Sequence, residues 1–253
     1  MVRRALGVLL LLQCAASPVA ANDPNHCHLI TRQARQIMKD GDPERAIVML
    51  QEAIRLDPTQ NEPHVKMADA LFMLQKFDQS ITECDTALKL KPDEHRTMDI
   101  LYRRGCSYGG KKNYKLAFAD LGKVITTDPA RYSAYRARAE VYRRSGNNKA
   151  AIADFQKFLA KATSKDDIPA TELVCAQCYR ETGDRIHERL ELTKVLRLSP
   201  DSIEAYRLRG KSFYQDSKFT DAASDFAHAL EIEPGNEYCR KMLESANAKA
   251  HQK

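Results

Sequence analysis

The 253-residue chain has 29% charged residues, 10 glycines, 10 prolines and no tryptophan, and no useful stretch of it alternates apolar with polar residues as a strand does. It reads as all-α, and too long for one ordinary compact core. Forty basic against 34 acidic residues give a formal net charge of +6, but the charge is mixed and no recognition motif is present, so nucleic acid is not an expected partner.

The chain opens on Met1-Val2-Arg3-Arg4, an apolar run from Ala5 to Leu12, and small residues at Val19-Ala20-Ala21. This is the pattern of a secretory signal over residues 1–21, cut after Ala21, with residues 22–26 as a leader. Export is expected, to a periplasm or to the endoplasmic-reticulum lumen or exterior of a eukaryotic cell. Eight apolar residues are too few to cross a bilayer of ~30 Å, so no membrane span is expected.

From there a period of 34 residues governs the chain. Prolines close similar phrases at Pro58, Pro92, Pro129, Pro200 and Pro234, spaced 34, 37, 71 and 34 apart, and the 71 conceals one further unit. Six windows follow: 27–60, 61–94, 98–131, 132–165, 169–202 and 203–236, interrupted by three-residue insertions at 95–97 and 166–168. Position 8 of each window is small (Ala34, Ala68, Gly105, Ala139, Ala176, Gly210), as is position 20 (Ala46, Ser80, Ala117, Ala151, Ala222) except at Glu188. Position 11 is always large (Ile37, Leu71, Tyr108, Tyr142, Tyr179, Phe213). Small residues allow two helices to approach and large ones fill the space beside them, so each window predicts a helical hairpin. Burying a lone carboxylate is costly, so Glu188 predicts a looser fifth hairpin. Residues 237–253 continue in helical pattern and read as a capping helix with a polar tail.

The pattern resembles the tetratricopeptide repeat, although the tryptophan that family carries at position 4 is replaced here by Ile30, His64, Leu101, Tyr135, Glu172 and Tyr206. The resemblance implies a right-handed superhelical α-solenoid of about six repeats with a concave binding face. A more distant similarity, to the repeat portion of endoplasmic-reticulum DnaJ-type co-chaperones, is suggested by a signal ahead of such repeats, without their J domain.

Arg104, Arg138 and Arg209 stand at position 7, each 16 residues before an aspartate: Asp120, Asp154 and Asp225. Those offsets can meet across an antiparallel hairpin, so the three are expected as structural ion pairs. The cysteines beyond the signal fall mostly at packed helical positions. Cys175-Ala-Gln-Cys178 lies mid-helix, without the helix-start placement of a redox pair or a second pair for zinc, and reads as packed thiols, with a local or inter-helix disulfide and a metal site as alternatives. His26, Cys27 and His28 form at most a weak metal cluster. No nucleophile–base constellation and no phosphate loop is present, so neither an enzyme nor a cofactor or small-molecule substrate is expected.

Binding is expected instead. In the resembled family, positions 2, 5, 6, 9, 12 and 13 of the first helix face the groove. Here they supply eleven basic side chains against six acidic ones, with Arg32, Arg35, Lys66, Arg103, Arg136, Arg143, Arg207 and Lys211 as the basic candidates and Phe72, Tyr102 and Tyr214 as aromatic anchors. The predicted ligand is an extended acidic or C-terminal carboxylate peptide. Alternatives are client binding in the secretory pathway and a structural subunit of an envelope complex. The Lys and Asn set with which some members hold chaperone C-termini is missing, since Thr31, Arg35 and Lys66 occupy those places.

Overall fold

The computed structural model describes residues 23–163 and 167–252. The expected signal, residues 1–21, lies outside the described residues. Among those described, the chain forms thirteen α-helices and no strand: α1 (Pro24–Lys39), α2 (Pro43–Leu56), α3 (Asn61–Met73), α4 (Phe77–Lys89), α5 (Glu94–Gly110), α6 (Tyr114–Thr127), α7 (Tyr132–Arg144), α8 (Asn148–Leu159), α9 (Asp167–Glu181), α10 (Arg185–Leu198), α11 (Ile203–Gln215), α12 (Phe219–Ile232) and α13 (Glu237–Ala250). The fold is an all-α solenoid of helical hairpins. In each hairpin an A helix is followed by a B helix, and none of the thirteen is long and apolar enough to cross a membrane.

One turn chemistry joins A to B in all six hairpins. Position 15 takes positive φ in every case: Gly41 at 86°, Gln75 at 57°, Lys112 at 63°, Gly146 at 82°, Gly183 at 81° and Ser217 at 57°. The next amide then reaches back to the carbonyl of position 11, with Asp42, Lys76, Asn113, Asn147, Asp184 and Lys218 donating at 2.8–3.1 Å. This six-to-one bond satisfies a carbonyl that the helix end leaves orphaned. In four hairpins the same residue also caps the next helix: the side chains of Asp42, Asn113, Asn147 and Asp184 accept from the amide three residues on.

The described residues of both insertions lengthen helices. His95–Thr97 lie in the first turn of α5, which runs 17 residues against 13 in α3, with Asp93 Oδ1 accepting from the Arg96 amide at 2.7 Å. The second adds Asp167 and Ile168 to the start of α9. α1 likewise begins inside the expected leader, because Asp23 accepts from the His26 amide and Pro24 suits a first helical position.

The chain divides into two compact units between Ser107 and Tyr108, within α5. In the first, Ala34, Leu50, Met67 and Leu71 pack together, as do Ala68, Cys84, Ala87 and Ile100. In the second, Ala176, Leu192, Val195 and Leu208 form one cluster, and Ala222, Phe226, Cys239 and Ala246 another, the last two residues coming from α13. All the small residues at position 20 are completely buried, so the two helices of a hairpin close on them.

The fifth hairpin is not loose. α9 packs on α10 as closely as α7 packs on α8 and α11 on α12, although Glu188 is only 2% exposed. Its carboxylate accepts from Ser212 Oγ at 2.9 Å; burial pushes its pKa up, while that bond and the nearby Arg180, Arg189 and Arg185 work in favour of the charged form. Ser80, the other polar residue at position 20, meets Ser107 at 2.9 Å. Ser107 and Ser212 occupy the same position, 10, of the following window. Where position 20 is Ala46, Ala117 or Ala151, that place holds Ala70, Val141 or Cys178.

The left-handed turn yields a test. A non-glycine residue in this region carries roughly 1–2 kcal/mol of strain, while glycine returns up to about 1 kcal/mol through greater freedom of the unfolded chain. Gln75→Gly, Lys112→Gly and Ser217→Gly should therefore each raise stability by up to ~1 kcal/mol, and Gly146→Val should lower it by more, as read from urea midpoints.

Candidate functional site

The A-helix faces carry the residues expected to bind, and their partners differ between the two units. In the second unit the arginines are already engaged. Arg143 Nε and Nη2 donate to Glu140 at 2.9 and 2.6 Å, and Arg144 Nε donates to the same carboxylate at 3.0 Å. Burial opposes the charge on Glu140, but these bonds hold it below the usual carboxylate range. Arg207 forks onto Glu204 at 2.8 and 2.6 Å and stacks over Tyr238. Arg136 donates to Asp167 at 2.6 Å with its guanidinium over Phe158. Tyr214 is covered by α13: its hydroxyl meets Ser245 Oγ at 2.7 Å, and Lys249 Nζ lies 4.8 Å from its ring centre. Of the expected ligand contacts in this unit only Lys211 is exposed with no carboxylate partner among the described residues.

These pairings leave the surplus of positive charge as it is but tie up several of its arginines. Position 2 lies three residues before position 5, and position 9 lies three and four before 12 and 13, so acids and bases on one face are helical neighbours that close on each other. Such exposed pairs add little stability. They do consume the donors a ligand would need.

In the first unit Arg103 also has a partner, an ion pair of its Nε with Asp69 Oδ1, and its guanidinium lies 5.7 Å from the ring centres of both Phe72 and Tyr102. Phe72 in turn meets Phe77 edge to face at 5.6 Å. Lys66 Nζ is 3.2 Å from Asp69 Oδ2. Arg32 and Arg35, on α1, are exposed and have no carboxylate partner among the described residues. Arg35 borders an open cleft of about 480 Å³ whose other walls come from α3 and the start of α5.

Of the expected structural ion pairs, the structure brings Arg138 onto Asp154 at 2.7 and 3.0 Å and Arg209 onto Asp225 at 3.0 and 2.7 Å, both two-pronged. Arg209 also donates to Thr193 in the preceding hairpin at 2.9 Å. Arg104 donates to Asp85 at 2.7 Å, again in the preceding hairpin, and Asp120 is buried in α6. Position 7 therefore links one hairpin to the one before it as well as tying A to B.

The six described cysteines are free thiols. Burial pushes Cys84 and Cys175 up to about 12 and Cys178 to about 11, far from the depressed values of reactive thiols. Among the described residues no group of three or more His, Cys, Asp or Glu side chains is placed to hold a metal ion.

Comparison with known proteins agrees with this geometry. Residues 38–99 and 102–167, together half of the chain, each match the tetratricopeptide repeat. The chain belongs to the tetratricopeptide repeat family. Human tetratricopeptide repeat protein 13 is 27% identical over 161 residues, 62% of this chain and 14% of that protein. Chicken DnaJ homolog subfamily C member 3 is 23% identical over 219 residues, 85% of this chain and 38% of that protein. The chain thus spans well under half the length of these relatives. Among solved structures, YrrB, described as a tetratricopeptide repeat protein with an unusual peptide-binding site, superposes with a TM-score of 0.60 at 16% identity, over 76% of this chain and 96% of its own.

Position 4, where the tetratricopeptide repeat resemblance calls for tryptophan, shows what its loss entails. In the second repeat His64 Nδ1 meets Glu83, at position 23, at 2.7 Å. The fifth repeat has Glu172 and Glu191 at those two places. Lys194 serves Glu191 with two contacts of 2.9 Å, and Glu172 Oε2 is left buried without a hydrogen-bond partner. Burial and then the field of Glu191 push the Glu172 pKa up. The folded state therefore binds this proton more tightly than the unfolded chain does. The penalty is complete above the raised folded pKa and disappears as pH falls below the unfolded value of 4.5. Glu172→Leu, which copies Leu101 of the third repeat, should stabilise the protein at pH 7 by about 1–3 kcal/mol. The gain should shrink as urea titrations are repeated towards pH 4.5.

Proposed function

We propose that this tetratricopeptide repeat protein is an interaction scaffold that captures an extended peptide or partner protein on the A-helix face of its first unit, with an acidic side chain or terminal carboxylate as the anchor. The observation that carries this reading is the contrast between Arg32 and Arg35, exposed and unpaired among the described residues, and Arg136, Arg143 and Arg207, each bonded to a carboxylate. A guanidinium whose donors are unused binds a ligand carboxylate without first breaking an internal pair. The named peptide-binding site of YrrB, on the same fold, supports the same kind of ligand. The protein acts by binding, with no catalytic step and no cofactor.

Similarity to DnaJ homolog subfamily C member 3 over 85% of the chain favours a second reading, capture of unfolded clients in a chaperone system. Suppression of the aggregation of a denatured test protein by this chain distinguishes that reading from capture of a fixed peptide. Export belongs to the proposal through the basic start, apolar run and small residues of 1–21. Mass spectrometry of the secreted or periplasmic protein should then show a mature chain starting at Asn22.

The double variant Arg32→Glu/Arg35→Glu should weaken capture of a fluorescent acidic peptide by roughly tenfold or more, since one charge-assisted hydrogen bond is worth about 1.5–3 kcal/mol. It should also flatten the salt dependence of binding. Arg136→Glu/Arg207→Glu should change affinity far less. Equal effects of the two pairs in an anisotropy titration would sink the assignment.

A further inference from the structure

We infer that the inserted triplet His95–Thr97 makes the first unit's cleft selective for a peptide that carries a basic residue beside its carboxylate, in preference to a uniformly acidic one. This rests on the reading of the A-helix face as a peptide site and specifies which peptides it takes. The insertion adds the first turn of α5, and with it the cleft gains His95 and Arg96 as wall residues alongside Arg35 of α1.

Around Glu62 the charges of this cleft approach one another without closing into hydrogen bonds, whereas Lys66, also in its wall, is bonded to Asp69. Arg96 Nη2 lies 3.8 Å from Glu62 Oε2, and its Nε lies 3.9 Å from Asp93 Oδ2. His28 Nδ1 is 3.7 Å from the same Glu62 oxygen. All three distances exceed hydrogen-bond reach, whereas the arginine forks of the second unit close at 2.6–3.0 Å. Arg35 and Arg96 therefore have donors to offer a ligand carboxylate, and Glu62 has lone pairs to offer a ligand ammonium or guanidinium. A run of acidic side chains gains from the two arginines and is repelled by Glu62 and Asp93. A ligand with both signs meets an answering group for each.

The test is a fluorescence-anisotropy titration with three glycine-spaced, fluorescein-labelled peptides of equal length, bearing alternating Glu and Lys, Glu alone or Lys alone. They are titrated against the whole protein, a variant deleted for His95–Thr97, and the point variants Arg96→Ala and Glu62→Gln. The alternating peptide should bind the unaltered protein at least about fivefold more tightly than the Glu-only peptide, and that margin should vanish in the deletion. Glu62→Gln should lose the advantage of the lysines while retaining Glu-only binding, a readout that holds even where the deletion lowers the melting temperature. Glu-only binding as tight as alternating, or a margin that survives both deletion and Glu62→Gln, overturns the selectivity and leaves the scaffold reading standing. Failure of all three peptides to bind the unaltered protein overturns both.

Discussion

The hairpin depends on one residue held in the left-handed region. At position 15 of each repeat the chain reverses, and the following amide returns to the carbonyl of the large residue at position 11, so helix end, turn and core residue are fixed by a single bond. The junction from B helix to next A helix is closed differently, by an amide that bonds back three residues, as Arg131 to Asp128, Ser202 to Ser199 and Asn236 to Glu233. Length changes fall there: the described residues of both insertions, 95–97 and 167–168, are helical at the start of an A helix, and neither insertion falls in an A–B turn. The rigid turn keeps positions 8 and 20 in register, and their small or absent side chains let the helices close.

Much of this architecture was legible in the residues. Closing prolines gave the period, and the small and large offsets gave the packed faces, because burial in a stacked array acts on the same positions in every repeat. The turn was harder to read. Glycine at Gly41, Gly146 and Gly183 hints at it, but Gln75, Lys112 and Ser217 adopt the same conformation, and nothing in their chemistry requests it. The surrounding hairpin imposes the strain.

On the A-helix face the internal pairing of acids and bases was also legible, from their spacing. Net charge does not say which donors are in use: Glu204 and Arg207, or Glu140 and Arg143, are three apart on a helix and close on each other. Glu188 held a similar clue. The serine that satisfies it, Ser212, stands at the position where Ser107 answers Ser80, so a polar residue in the tight helix contact is matched one repeat later. Glu172 has no such match, and no offset rule announces that deficit, because it arises from the particular meeting of two acids at positions 4 and 23.

The last hairpin shows how a repeat protein can limit its own capacity. Tyr214 and Phe219 form an edge-to-face aromatic pair, and Lys249 of α13 sits over both rings while Ser245 takes the tyrosine hydroxyl. The second repeat builds a comparable pair from Phe72 and Phe77, and there the guanidinium of Arg103 lies over Phe72. An aromatic shelf offered by one repeat is thus furnished with a cation by the next segment of the same polypeptide. The number of repeats therefore overstates the number of vacancies, and counting motifs along such a chain is a poor guide to how many residues of a guest it can read.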